Sequence, residues 1–466
     1  MQRRPERFQT QATRWTITGY GLMILGTVAV FLLIRSYGET LVAPSAPADQ
    51  SQADAITKPS DALLHVLVAL AAVIITGQVF ARIFAHVGQP PVIGEVVAGI
   101  FLGPSLLGSK LSAYILPPSV APFLGVIAQL GVILYMFLIG LDLNLGRLRQ
   151  RPHATVATSH ASILAPFLLG AVASLGLYPR LSNSNVPFTS FALFMAVAMS
   201  ITAFPVLARI LTDRHMARTE LGVVALSCAA IDDVTAWCLL AFVVGVAKAQ
   251  VGEGFLVAAG ALAYIAFMFL VARPALLRVM QRRKQESLSR GTVALVLFAL
   301  LLSALATETI GIHAIFGAFL FGAIIPRDSS VARFFPQHLE HVVAAVLLPA
   351  FFAFTGMRTR IGLVSGWDQW LICGLIILLA TLGKFGGTLA AAYLTGLSWR
   401  DAAILGTLMN TRGLMELVVL NVGLDLGIIS PTLFAMMVLM ALVTTIVTSP
   451  VLGLLKPPTA AADPVS

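Results

Sequence analysis

Apolar runs recur from one end of the chain to the other, separated by short polar or basic turns. A helix needs about 20 apolar residues to cross about 30 Å of hydrocarbon, and most of these runs are that long. Fourteen segments are predicted, near residues 17–35, 62–86, 91–107, 121–141, 155–177, 188–212, 219–248, 254–280, 291–308, 312–325, 338–357, 367–395, 401–424 and 431–455. Those at 91–107 and 312–325 are short and glycine-rich, which predicts tilted or incomplete spans. The expected fold is an all-α polytopic membrane protein with about 14 transmembrane helices. Residues 62–455 form one integrated membrane domain in this reading. An N-terminal helix and outer linker (1–61) precede it, and a short tail (456–466) follows.

Composition points the same way: 58% of residues are hydrophobic and 11% charged, where soluble domains carry roughly 25% charged residues. A net charge of +9 would suit nucleic acid, but its placement argues for topology. Basic residues gather in alternate loops: Arg3, Arg4, Arg7 and Arg14; Arg147, Arg149 and Arg151; Arg214 and Arg218; residues 273–290; and Lys456. That pattern puts both ends of the chain on the cytoplasmic side and makes a lipid bilayer, with no nucleic acid, the expected partner. Arg358 and Arg360 are the exception, on the predicted outer side. The first segment resembles a long signal peptide, yet its apolar run is longer than usual for one, so an uncleaved helix is expected. The three cysteines, Cys228, Cys238 and Cys373, lie inside apolar runs without metal spacing and read as core residues. The tail is too short for a nucleotide-binding module, and no cofactor is expected.

Two segments carry breaks in matching places. In 188–212, Pro205 follows Ser200 and Thr202; a proline there is expected to free the Ile201 carbonyl. In 401–424, Asn410, Thr411, Arg412 and Gly413 interrupt the apolar run. The second lies seven segments after the first, an odd interval, so the halves are expected to have opposite topology. Inverted repeats whose discontinuous helices meet near the midplane are a transporter plan with the ion site at the crossing. The exposed half-helix ends need charge compensation, for which Arg412 and Glu416, four apart, are suited.

The segment after the first break contains adjacent carboxylates, Asp232 and Asp233. Each costs roughly 2.5–3.5 kcal/mol at bilayer depth, so such groups mark ion or proton paths. Lys384 is a further mid-membrane charge and a natural partner. Neighbours on a helix point about 100° apart, so one acid can meet Lys384 while the other faces a cavity. A carboxylate in this setting holds either a proton or an alkali cation. Cation ligands are expected among Asp233, a group near Asp232, the Thr202 hydroxyl and freed carbonyls. Glu95 reads as a cavity acid or as a partner to a helix end.

QPPVIGEVVAGIFLGPSLLG (89–108), SITAFPVLARIL (200–211), AAIDDVTAW (229–237), GIHAIFGAFLFGAIIPR (311–327) and NTRGLMELVVLNVG (410–423) together resemble the monovalent cation:proton antiporter-2 family. The last two are most similar to its plant-type cation/proton exchangers. The resemblance covers about 62–455 and implies a homodimer, a dimerisation subdomain and a mobile core subdomain with two crossed discontinuous helices. It also implies Asp233 as the cation carboxylate, Asp232 as the partner of Lys384, and Thr202 near the ion. Exchange of Na+ or K+ for H+ is the expected function, in a bacterial inner membrane. A passive cation channel and a non-transporting membrane subunit are the alternatives. An aspartyl protease is excluded because neighbours on one helix cannot share a proton across a cleft, and no enzyme is expected.

Overall fold

The computed structural model describes residues 6–44, 59–142, 152–217, 219–248, 254–282 and 289–455, and among them it contains helices and turns but no strand. Helix falls on each of the 14 apolar segments. Among the described residues ten helices are long and apolar enough to cross a membrane, and an eleventh span is the pair Trp399–Met409 and Leu414–Asp425, bent by 45° at its break. Three further apolar helices, Pro91–Leu102, Phe188–Ala198 and Ala314–Ile324, have 12, 11 and 11 residues. At 1.5 Å per residue such helices reach only about 18 Å. The expectation of 14 spans therefore becomes ten or eleven full-length spans with three shorter helices among them. Several predicted topology determinants lie outside the described residues: Arg3, Arg4, Arg147, Arg149, Arg151, Arg218, residues 283–288 of the basic loop, most of the outer linker and the whole tail.

The helices sort into two groups by packing. One group holds Pro59–His86, Pro91–Leu102, Ala121–Asp142, Arg290–Ile310, Ala314–Ile324 and Leu348–Arg358. The other holds Pro152–Leu181, Glu220–Lys248, Gly366–Leu394, Pro431–Leu455 and the two broken helices. The N-terminal helix, Glu6–Gly38, packs on this second group, against Pro152–Leu181 and Phe188–Ala198. Ile34 is buried there, and the Phe31 and Phe167 rings lie 5.9 Å apart. Past the end of the helix, Glu39 accepts hydrogen bonds from Arg35 (2.7 Å) and Thr189 (3.0 Å). Leu22, Leu25 and Leu33 on its other side stay exposed, as suits a helix whose remaining solvent is lipid.

The exception to the charge rule has a local cause. Arg358 donates to Asn421 and to Asp425 and lies over the Phe354 ring. The protein itself partners this charge, which makes it a poor guide to orientation.

Candidate functional site

The first broken helix stops at Ala198, and Phe204–Asp213 resumes it. Residues 201–203 are non-helical. Pro205 does not cause the break by removing a helical bond, as its position suggested. It sits in the first turn of the second half-helix, where the missing N–H has no partner to lose. Ser200 closes the other end, its hydroxyl placed on the carbonyls of Ala196 (2.6 Å) and Ile163 (3.0 Å).

The second broken helix is interrupted at Asn410–Gly413, and the two interruptions lie against each other in opposite directions. The Ala203 N–H donates to the Thr411 carbonyl at 3.0 Å. Thr202 Oγ1 approaches the Met409 carbonyl at 3.2 Å. Arg412, fully buried, donates to the carbonyls of Ala198 and Met199 and to Glu416 (2.8 Å). These carbonyls form the C-terminal end of a half-helix, which carries about half a negative charge. A guanidinium there compensates it while pairing with a carboxylate one turn along its own helix. Thr445, in Pro431–Leu455, clasps the interruption by accepting from the Arg412 N–H and donating to the Arg412 carbonyl, each at 2.8 Å.

Asp232 and Lys384 form an ion pair of 2.8 Å with both side chains fully buried. Three hydroxyls complete the shell of Asp232: Ser159 at 2.6 Å, Ser162 at 2.8 Å and Thr202 at 2.9 Å. The single hydrogen of Thr202 serves either Asp232 or Met409. Lys384 lies in a π-turn, Leu382–Gly386, a local widening that often occurs at functional sites. Gly383 lets that turn approach Pro152–Leu181: a Cβ there would stand 2.6 Å from the Pro166 Cα. The lysine therefore reaches Asp232 because its helix can press against the helix that carries Ser159 and Ser162.

Asp233 is 3% exposed, and neither of its carboxylate oxygens has a hydrogen bond of normal geometry. The nearby donor that acts on it is the Phe204 N–H at the start of the second half-helix. Thr202 thus meets Asp232, and no hydrogen bond joins it to Asp233. Between the two helix groups lies a cavity of about 240 Å³, lined by Ala203, Pro205, Arg209 and Leu414 from the broken helices and by Pro91 and Tyr135 from the other group. Tyr135 lies within the field of Asp233, Glu95 and Glu340. Glu95 is only partly buried and makes no hydrogen bond to either member of the acid pair.

Sequence reasoning passed over Ser159 and Ser162. The serines are spaced three apart, which puts both on one helix face, in the polar stretch TSHAS of an otherwise apolar span. That stretch was the available signal. Among the described residues no cluster of three His, Cys, Asp or Glu side chains could hold a metal ion. The donors at the crossing are carboxylates, hydroxyls and carbonyls, a hard-oxygen set.

The sequence matches the family described as sodium/hydrogen exchanger, transmembrane, over residues 66–455. The chain belongs to the sodium/hydrogen exchanger family. Its relatives there include the Na(+)/H(+) antiporter NhaS4 of Synechocystis sp., 42% identical over 404 residues, covering 85% of this chain and 98% of that protein. Cation/H(+) antiporter 20 of Arabidopsis thaliana is 37% identical, over 84% of this chain and 48% of its own length. K(+)/H(+) antiporter 1 of Saccharomyces cerevisiae is 34% identical, over 80% of this chain and 44% of its own. The chain thus spans about half the length of the plant and yeast exchangers it matches and nearly all of the Synechocystis one. The fold is that of the sodium proton antiporter MjNhaP1 from Methanocaldococcus jannaschii, with a TM-score of 0.61 at 15% identity, over 84% of this chain and 96% of that one. The chain is therefore an integral membrane protein of exchanger fold.

Proposed function

We propose that this protein exchanges a monovalent cation, Na+ or K+, for protons across the membrane by alternating access, with Asp233 as the carboxylate both contend for. The observation that carries this reading is the contrast within the acid pair. Asp232 has Lys384 and three hydroxyls within hydrogen-bond distance, whereas Asp233 is buried with no hydrogen bond of normal geometry at either oxygen. A buried carboxylate with no hydrogen bond of normal geometry is stabilised by taking either a proton or a cation. One site that cannot hold both couples the two fluxes.

In this mechanism a cation entering through the cavity displaces the proton of Asp233. Thr202 turns its hydroxyl oxygen toward the ion and gives up its bond to Asp232, which weakens the Asp232–Lys384 pair. If Lys384 then releases its proton, two protons move for each cation and exchange is electrogenic. Glu95 concentrates cations at the mouth of the cavity. Arg412 and Glu416, with Thr411, Ser200 and Pro205, hold the two interruptions together at the crossing, where Asn410 also lies. The crossed-helix group moves as the core against the other group, which carries the homodimer contact. Both chain ends face the cytoplasm of a bacterial cell.

The test is proton flux in proteoliposomes under controlled voltage, with Na+, K+ and Li+ added in turn. Cation-driven proton movement out of phase with a pH gradient is expected for at least one ion. Cation currents without proton movement would make the protein a channel, and silence with all three ions would leave the non-transporting reading.

A further inference from the structure

We infer that Asn410 is a cation ligand that sets selectivity, its amide oxygen contributed from the second broken helix to the ion held by Asp233. The inference rests on the exchange reading above and extends its site to a residue that serves no structural bond. Asn410 is 6% exposed, and its Oδ1 is buried with no hydrogen-bond partner. Buried polar side chains are almost always bonded, and a residue of similar shape without polar atoms would avoid the penalty. The amide is therefore placed for a partner that is not part of the chain.

Its position is fixed from both sides. The carbonyl of the preceding residue, Met409, lies 3.2 Å from Thr202 Oγ1, and the following residue, Thr411, accepts from the Ala203 N–H. Asn410 is thus pinned at the crossing, opposite the non-helical segment of the first broken helix. That same segment reaches the acids: Thr202 Oγ1 meets Asp232 at 2.9 Å, and the Phe204 N–H acts on Asp233. Among the buried oxygens without a hydrogen bond at the crossing, one of Glu416's belongs to a carboxylate already paired with Arg412, which leaves those of Asp233 and of Asn410 without any side-chain partner.

The chemistry of the two is complementary. A carboxylate binds a proton and a cation at the same oxygens. An amide oxygen stays unprotonated at neutral pH, so it favours the cation without favouring the proton. A neutral carbonyl dipole also discriminates among alkali ions by the number and field strength of the oxygens around them. Asn410 should therefore act on cation affinity and preference more than on turnover.

The experiment compares the reconstituted full chain with Asn410→Ala and Asn410→Ser, measuring exchange rate against Na+, K+ and Li+ concentration. Asn410→Ala is expected to raise KM by about tenfold, the order set by one lost hydrogen-bond-strength contact. The rise should be unequal among the three ions, with the rate at saturation changed by less than about twofold. Asn410→Ser, which keeps an oxygen, should recover part of the loss. Unchanged KM for all three ions overturns the inference. So does a fall in saturated rate with KM intact, which would make the amide a partner for another conformation. Cation-dependent thermal stabilisation of wild type and Asn410→Ser decides the matter if Asn410→Ala does not fold or if wild type proves unable to exchange. A weaker stabilisation in Asn410→Ser supports the inference, and an identical one overturns it. Absence of wild-type flux alone rejects exchange, not ligation.

Discussion

Asp232 and Asp233 are neighbours in one helix with opposite surroundings, the first bonded to Lys384, Ser159, Ser162 and Thr202, the second bonded to none. The helical turn of about 100° between them produces this division. It aims Asp232 at the helices bearing Lys384 and the serines and leaves Asp233 toward the crossing. Adjacent acids with separate tasks need separate tests.

Asp233→Asn keeps the volume and removes the charge of a group that makes no hydrogen bond, so the fold should persist while cation-driven proton flux is lost. Asp232→Asn strands Lys384 in a fully buried site. Breaking a buried pair from one side costs about 3–5 kcal/mol, so this variant should melt well below wild type. Thermal unfolding in detergent, run beside flux, separates the two. Equal melting temperatures for both variants would contradict the division of roles.

Arg412 is predicted to be worth more as a cap than as half of an ion pair. Arg412→Met leaves Glu416 unpaired and the Ala198 and Met199 carbonyls without a guanidinium, at a cost of about 3–5 kcal/mol. Glu416→Gln removes the charge and should cost less. In the double variant Arg412→Met/Glu416→Met the stranded acid is gone but the carbonyls remain bare, so only part of the loss should return. Full recovery in a double-mutant cycle would show that capping contributes nothing.

The fold was legible in the sequence because hydrophobic length is a strong signal: helix lies on every apolar segment predicted. The count of full spans was not, since Pro91–Leu102, Phe188–Ala198 and Ala314–Ile324 are largely apolar yet too short. The two breaks are visible as polar residues at depth, although at the first of them Pro205 belongs to the turn that follows and does not cause the break. Asp232, Asp233 and Lys384 announced themselves because charge in an apolar run is conspicuous. Ser159 and Ser162 did not, because a serine in a membrane helix can satisfy itself on its own backbone and needs no partner. Which acid meets the lysine is a matter of helix rotation, which spacing along one chain leaves open.

Gly383 tests whether close packing places the lysine. A methyl added there would stand 2.6 Å from the Pro166 Cα and 2.8 Å from its Cβ. A backbone cannot yield as the tip of a flexible side chain can, so the lysine-bearing turn must shift away from the serines. Gly383→Ala should therefore lower stability by about 1–3 kcal/mol and reduce exchange by lengthening the Asp232–Lys384 pair. Gly374→Ala in the same helix, where nothing lies within 4 Å of an added methyl, is the control. If both variants behave alike, the close approach is not what positions Lys384.

The N-terminal helix gives a prediction outside the membrane core. Arg35 and then Thr189, through their hydrogen bonds, hold the Glu39 carboxyl below its usual range. A depressed carboxylate contributes its stabilisation above the unfolded value, near 4, and loses it as pH falls through the lower folded value. The contact between residue 39 and Phe188–Ala198 should thus be intact at neutral pH and loosen only in acid. Thr189→Val removes the second donor, so the carboxyl is less depressed and the loosening should begin at a higher pH. Hydrogen exchange at Glu39, Thr40 and Leu41, whose N–H groups are bonded, and at Ser184, whose N–H donates to the Pro44 carbonyl at 2.9 Å, measures this directly. Protection that is equal in wild type and Thr189→Val at every pH would mean that apolar packing of Phe31 and Ile34 alone seats the helix.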